Sequence, residues 1–167
     1  MNMERKLLNN ITDSLSSFQP ITLKEMDGVS LMNRTDTKFV FEADLLPKIL
    51  EEASPFYRSL EISNKRYANY KTDYFDSLDF GLYNAHHNSK LNRYKIRYRE
   101  YIGSDLSFLE VKFKNNKGKT IKKRLKVDRI PTKLSNDQKS YIEKIMGYSI
   151  SVLPKQWINF RRITLVH

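Results

Sequence analysis

The sequence has no cysteine. Disulfide staples and thiolate metal sites are thereby excluded, and the redox character of the compartment stays open. Glycine and proline number five each, and no tract rich in them marks a linker, so one domain over residues 1–167 is the expectation. No run approaches the ~20 apolar residues of a membrane span. The first 18 residues are broken up by Glu4, Arg5, Lys6, Asn9, Asn10 and Asp13, which leaves no apolar core for a signal peptide. A cytoplasmic protein without a membrane span is expected. Acidic residues are also in deficit: 19 Asp plus Glu against 30 Lys plus Arg give a formal charge of +11. An excess of that size favours anionic partners such as nucleic acid, phosphate esters or an anionic membrane surface.

What is present reads as α+β. At 40% hydrophobic residues in 167, the chain can build a core. Leu7, Leu8, Ile11, Leu15 and Phe18 recur at helical spacing, predicting an N-terminal helix within residues 1–19 that Pro20 ends. Thr22 and Glu25 form a capping box over a short helical turn closed by Gly28. Residues 34–41 read as a strand, and Asp44 caps a helix running to about Ser54. Strand then follows strand: 67–75, 93–101, 108–114 and 120–128, the last two joined by a turn at Asn115-Asn116-Lys117-Gly118. Asp76 and Asp79 fall in a turn where aspartates bond their own backbone. Residues 135–146 form a capped helix with Tyr141, Ile142, Ile145 and Met146 inward, and 156–166 a final strand with Trp157 in the core. A mostly antiparallel sheet results. The chain stops at His167, directly after that strand, as expected of a truncated protein or an excised fragment.

Charge placement is the informative feature. Side chains at i and i+2 of a strand share a face, roughly 7 Å apart. Arg93, Lys95, Arg97 and Arg99 therefore line one face, with Tyr94, Ile96 and Tyr98 on the other. Glu110, Lys112 and Lys114 align on the next strand, and Lys122, Arg124 and Lys126 on the third, with Lys123 the exception. Nine cations thus meet one carboxylate. A solvated strand face alternates too, but it mixes charge signs, because like charges directly opposite one another are destabilising. A self-repelling face is expected where an anion neutralises it, and arginine's planar fork suits phosphate. Single-stranded nucleic acid is the rival ligand, since basic grooves with aromatic platforms bind it. Tyr94 and Tyr98 point away from the arginines, which favours linked phosphates.

An ordered series of motifs then stands out: Arg34 to Phe39, Tyr74-Phe75-Asp76, Tyr83 with His86-His87-Asn88, Arg93 to Arg99, Glu110 to Lys112, Lys122 to Arg124, and Phe160 to Arg162. Over residues 20–166 this series resembles the VTC domain, the polyphosphate-polymerase branch of the triphosphate tunnel metalloenzymes. The resemblance implies a β-tunnel lined by Lys and Arg, here incomplete, with flanking helices. It implies ATP, triphosphate or polyphosphate as partners and, in an intact form, transfer of the ATP γ-phosphate onto polyphosphate. Carried over by position, it places Lys38, Arg97, Arg99, Lys112, Arg124 and Arg162 on the wall as phosphate ligands, with Lys122 or Lys123 as a further one. It also implies a divalent metal, manganese or magnesium, whose glutamate ligand would lie beyond residue 167. This chain alone is accordingly expected to bind without turnover. Glu110 is a weaker metal candidate than a partner for Lys112 or Arg97. His86 and His87 are adjacent and lack the companions of a zinc site. Asp36 is expected to pair with Lys38. Lys114 stands where the eukaryotic proteins have histidine, and Phe160 where they have tyrosine. A non-catalytic phosphate-binding module, and behind it a nucleic-acid-binding domain, are the alternative functions. An exposed edge at the last strand would allow a homodimer.

Overall fold

Residues 3–26, 37–104 and 106–167 are described by a computed structural model. The spacing of Leu7, Leu8, Ile11 and Leu15 yields α1 (Met3–Ser16). After it come β1 (Gln19–Ile21) and the single turn α2 (Leu23–Met26). The Thr22–Glu25 capping box forms as read: the Thr22 N–H donates to Glu25 Oε2 at 2.8 Å, and the Glu25 N–H to Thr22 Oγ1 at 3.3 Å. Gly28, Arg34 and Asp36 lie outside the described residues. The strand expected over 34–41 does not form in its described part, where residues 37–42 are irregular and join no sheet. Extended residues make a strand only beside a partner, and Phe39 and Val40 are 82% and 101% exposed.

A 3-10 turn (Ala43–Leu45) leads into α3 (Leu46–Ala53), which accommodates Pro47 in its first turn. Asp44, expected as the helix cap, lies within the 3-10 turn instead. The remaining elements are β2 (Arg58–Leu60), β3 (Ala68–Asp76), α4 (Gly81–His87), β4 (Arg93–Ile102), β5 (Leu106–Lys114), β6 (Thr120–Val127), α5 (Asn136–Met146), β7 (Leu153–Arg162) and β8 (Leu165–Val166). The last strand of the sequence reading is thus two, interrupted at residues 163–164. No described helix is long and apolar enough to cross a membrane.

The chain divides into two compact units. One is drawn from Met1–Ala68 and Arg162–His167. In it β2 pairs in parallel with β1 and antiparallel with β8. Leu15, Phe18 and Leu50 form its core, flanked by Ile11, Leu46, Ala53, Tyr67, Ile163 and Leu165. The Arg66 guanidinium donates to the Leu15 carbonyl in the last turn of α1 and to the Phe18 carbonyl just beyond it, at 2.5 and 2.8 Å, tying down the helix end.

The other unit, Asn69–Arg161, is built on a sheet of order β6-β5-β4-β3-β7. The β5–β6 hairpin turns as the sequence indicates: Asn115 Oδ1 accepts from the Lys117 and Lys119 N–H groups, and Gly118 takes φ +76°. Glycine reaches that left-handed conformation without steric cost. Helix α5 covers one face. Its Ile142 and Met146 pack with Phe75, Leu82, Ile96, Tyr98, Leu109 and Val111. Ser135 and Gln138 cap its start reciprocally, and Gly147 at φ +77° ends it. The sheet is open. Strands β6 and β7 are its edges, so the described residues form no closed tunnel. Trp157, expected in the core, is 71% exposed, because β7 at the edge has no layer over it there.

Candidate anion-binding site

The face of the five-stranded sheet opposite α5 carries the cations. Registers across β4, β5 and β6 line them up in rows: Lys95, Lys112 and Lys122 face one another, as do Arg97, Glu110 and Arg124. Arg99 lies opposite Phe108, which lies opposite Lys126, and Arg93 lies opposite Lys114. Lys123 pairs with Val111 and so belongs to the other face, which settles the choice between it and Lys122. Strand β3 contributes Thr72, opposite Arg99, and Tyr74, opposite Arg97.

Burial grades across the sheet. Lys122, Arg124 and Lys126 on the edge strand are exposed, Lys112 is half-buried, and Arg97 is 7% exposed. Glu110 is fully buried. Its Oε2 accepts from Arg97 Nε at 2.7 Å and sits 2.6 Å from Arg97 Nη2. Arg97 Nη1 donates in turn to the Tyr74 hydroxyl at 3.4 Å. Glu110 Oε1 lies 3.4 Å from Lys122 Nζ and has no hydrogen-bond partner. Burial by itself raises the Glu110 carboxyl, but the Arg97 charge and hydrogen bond, with Lys122 and Arg99 behind them, outweigh it and hold it below its ordinary value. The crowding shows in the cations too. Burial, then the Arg97 charge, brings the Lys112 ammonium from 10.5 down to about 8. The same two causes lower Arg99.

Five of the residues named from the sequence therefore share one face: Arg97, Arg99, Lys112, Lys122 and Arg124. Lys38 and Arg162, both exposed, belong to the first unit. Glu110 takes the pairing role, with Arg97 and Lys122 rather than with Lys112. Among the described residues no three His, Asp or Glu side chains gather in a group able to hold a metal. Glu110 is the one carboxylate of the β4–β6 rows, and Arg97 holds it. These residues alone do not fit a manganese or magnesium ion. His86 Nδ1 accepts from Arg93 Nε at 3.2 Å, and His87 stacks on Tyr83.

Asp76 behaves as the turn reading requires. Its Oδ1 accepts from the Ser77 and Leu82 N–H groups and its Oδ2 from Tyr83, which anchors α4 below the end of β3. Sequence reasoning missed that helix, and it missed Thr72, Tyr70 and Tyr74 as neighbours of the arginines. The signal was available: Tyr70, Thr72 and Tyr74 alternate in a strand, on the face that a pairing register would have assigned.

A comparison with protein families matches residues 33–166 to the VTC domain. A comparison with curated proteins finds no match to this chain.

Proposed function

The chain belongs to the VTC domain family, and from that membership and the cationic face we propose that it binds a chain of linked phosphates, triphosphate or polyphosphate. The observation that carries this reading is that Lys112 stands opposite Lys122 in one row, beside Arg97, Arg99 and Arg124 on the same face, with Glu110 the one carboxylate among them. Like charges so placed destabilise a sheet, and an anion laid along the row removes the cost. Arg99, Arg124, Lys112 and Lys122 supply the donors on this unit; for Lys38 and Arg162, on the other unit, a phosphate-ligand role is proposed from the family resemblance alone. The reading extends to ATP γ-phosphate transfer, because phosphoryl transfer is chiefly positioning and neutralisation of charge on oxygens. No step is assigned here to a metal.

The rings on this face favour phosphate over nucleic acid. A base needs an open aromatic surface to stack on, whereas Tyr70 stacks on Phe160 and Phe108 lies under the Arg124 guanidinium. Triphosphate is expected to bind more tightly than orthophosphate, with an affinity that drops steeply as salt is added. Titration calorimetry of both anions at low and moderate salt checks this. Equal affinities for the two would rule out a site built for linked phosphates.

A second copy of the chain is a candidate partner through β7, whose backbone edge is unpaired within the described sheet and whose Trp157 is exposed. Light scattering coupled to size exclusion is expected to give twice the chain mass, and Trp157→Lys the chain mass. A wild-type monomer at high concentration would remove this partner.

A further inference from the structure

Lys112 differs from the other cations around Glu110. In register it lies opposite Lys95 on β4 and Lys122 on β6, with Arg97 and Arg124 two residues along those strands on the same face. It is half-buried. Among the described residues its ammonium takes part in no hydrogen bond and no ion pair. The carboxylate of its own strand is already committed: Glu110 Oε2 is held by Arg97, and Oε1 lies 3.4 Å from Lys122 Nζ. The cluster therefore gives Arg97 and Lys122 a counter-charge and leaves Lys112 among cations without one.

An ammonium so placed gains by losing its proton. Burial removes the water that would solvate its charge, and each neighbouring cation opposes that charge. Burial first, then Arg97, with Lys122 and Arg99 behind them, bring Lys112 from 10.5 to about 8 against the pull of Glu110. Near pH 8 about half of the Lys112 groups are then free amine, against roughly one in 250 for an ordinary lysine. A free lysine amine, desolvated and beside cationic groups, is an activated nucleophile. The cations that repel the ammonium also attract any anion formed in its place.

We infer that Lys112 is a carbamylation site, whose amine takes up dissolved carbon dioxide to form a lysine carbamate among Arg97, Lys122 and Arg99. The Nζ lone pair attacks the carbon, an N–C bond forms, and one C=O π pair moves onto oxygen. The amine then gives a proton to water, so R–NH2 and CO2 become R–NH–COO− and H+. No oxidant and no leaving group are needed. Carbon dioxide suits a half-buried amine because it is small and uncharged until it has reacted. Lys122 is the poorer nucleophile, because Glu110 beside it favours the ammonium. The reaction replaces a cation by an anion within the cluster, which relieves the crowding and lowers the positive charge of the face. It goes beyond the phosphate reading and does not depend on it, since the chain reacts without any phosphate present.

The test incubates the full chain with carbon-13 bicarbonate at about pH 8, where half of Lys112 is free amine. Triethyloxonium traps carbamates as ethyl esters, and proteolysis with mass spectrometry locates them. Lys112 is expected to carry at least about tenfold more label than the exposed Lys117 or Lys139. Lys122→Gln removes a cation from beside the carbamate, and label at Lys112 is expected to drop several-fold. Lys139→Gln, on α5 across the sheet, is expected to leave it unchanged. Label spread evenly over the lysines, or missing from Lys112 in the wild type, would overturn the inference. So would a Lys122→Gln chain that labels at Lys112 as the wild type does. A chain that labels at Lys112 yet fails to bind triphosphate loses the phosphate reading and keeps this one.

Discussion

Arg97→Ala is expected to cost the fold about 3 to 5 kcal/mol, the usual penalty for removing one partner of a buried ion pair. From the strand alternation alone this arginine looks like its neighbour Arg99, a ligand whose loss weakens binding and spares the fold. The structure gives it another duty. Glu110 is fully buried, and Arg97 provides both of the close contacts to its Oε2, so alanine strips that oxygen of its partners and leaves the carboxylate only the Lys122 ammonium, 3.4 Å from Oε1. Arg99→Ala, by contrast, is expected to shift the unfolding midpoint little, because its partners are rings and a hydroxyl. Urea denaturation of the two variants side by side makes the comparison. A double variant, Arg97→Met with Glu110→Met, is expected to recover most of the stability, since the loss comes from the stranded charge rather than from lost packing. Should Arg97→Ala unfold at the wild-type midpoint, the pair contributes nothing to the fold and Arg97 returns to the list of ligands.

Triphosphate affinity is expected to fall as pH rises through 8, by up to roughly tenfold for each unit. Lys112 is the cause, with its ammonium lowered to about 8 by burial and by Arg97. Below that value it carries its charge and the anion finds it ready. Above it the anion binds only with proton uptake, because a bound polyanion restores the charged form. Stability of the free chain runs the other way. The folded value lies below the ordinary 10.5, so between about pH 8 and 10.5 the unfolded chain holds a proton that the folded chain has lost. Stability therefore rises with pH in that window, and the unfavourable contribution is fully present below 8. Lys112→Arg is expected to flatten the binding profile, since a guanidinium keeps its charge across the whole range. Calorimetry at pH 7, 8, 9 and 10 on both proteins decides the matter. Parallel declines in wild type and Lys112→Arg would show that another group titrates.

Much of the β4–β6 region was legible because period-two alternation is a local property. Arg93 to Arg99 fixes its own faces, Ser135 and Gln138 announce a helix start, and Asn115 to Gly118 announces a turn. Pairing register is not local. Whether Glu110 meets Arg97, Lys112 or Lys122 depends on how β4 and β5 slide past one another, and a shift of one residue would turn every side chain to the other face. Helix α4 escaped notice for a related reason. It is seven residues long, Phe80 before it takes a left-handed φ of 58°, and its start is held by Asp76 from the preceding strand rather than by an adjacent cap. The parallel β1–β2 pair joins segments 39 residues apart in register, with no turn chemistry between them to signal it.

The two borders of the five-stranded sheet are unequal, and that inequality limits how large an assembly can grow. On β6, Lys122, Lys123, Arg124 and Lys126 project along the border, so a second β6 or a β7 approaching it meets concentrated like charge or an unfavourable desolvation. On β7 the cations Lys155, Arg161 and Arg162 sit toward the two ends, and residues 156–160 between them carry no charge. A sheet with two receptive borders can add copies head to tail without end and become a filament. One with a single receptive border can only match it to itself about a twofold axis, which closes at two. The lysines and arginine that crowd β6 are thus expected to act also as a stop on polymerisation, as long as no anion neutralises them.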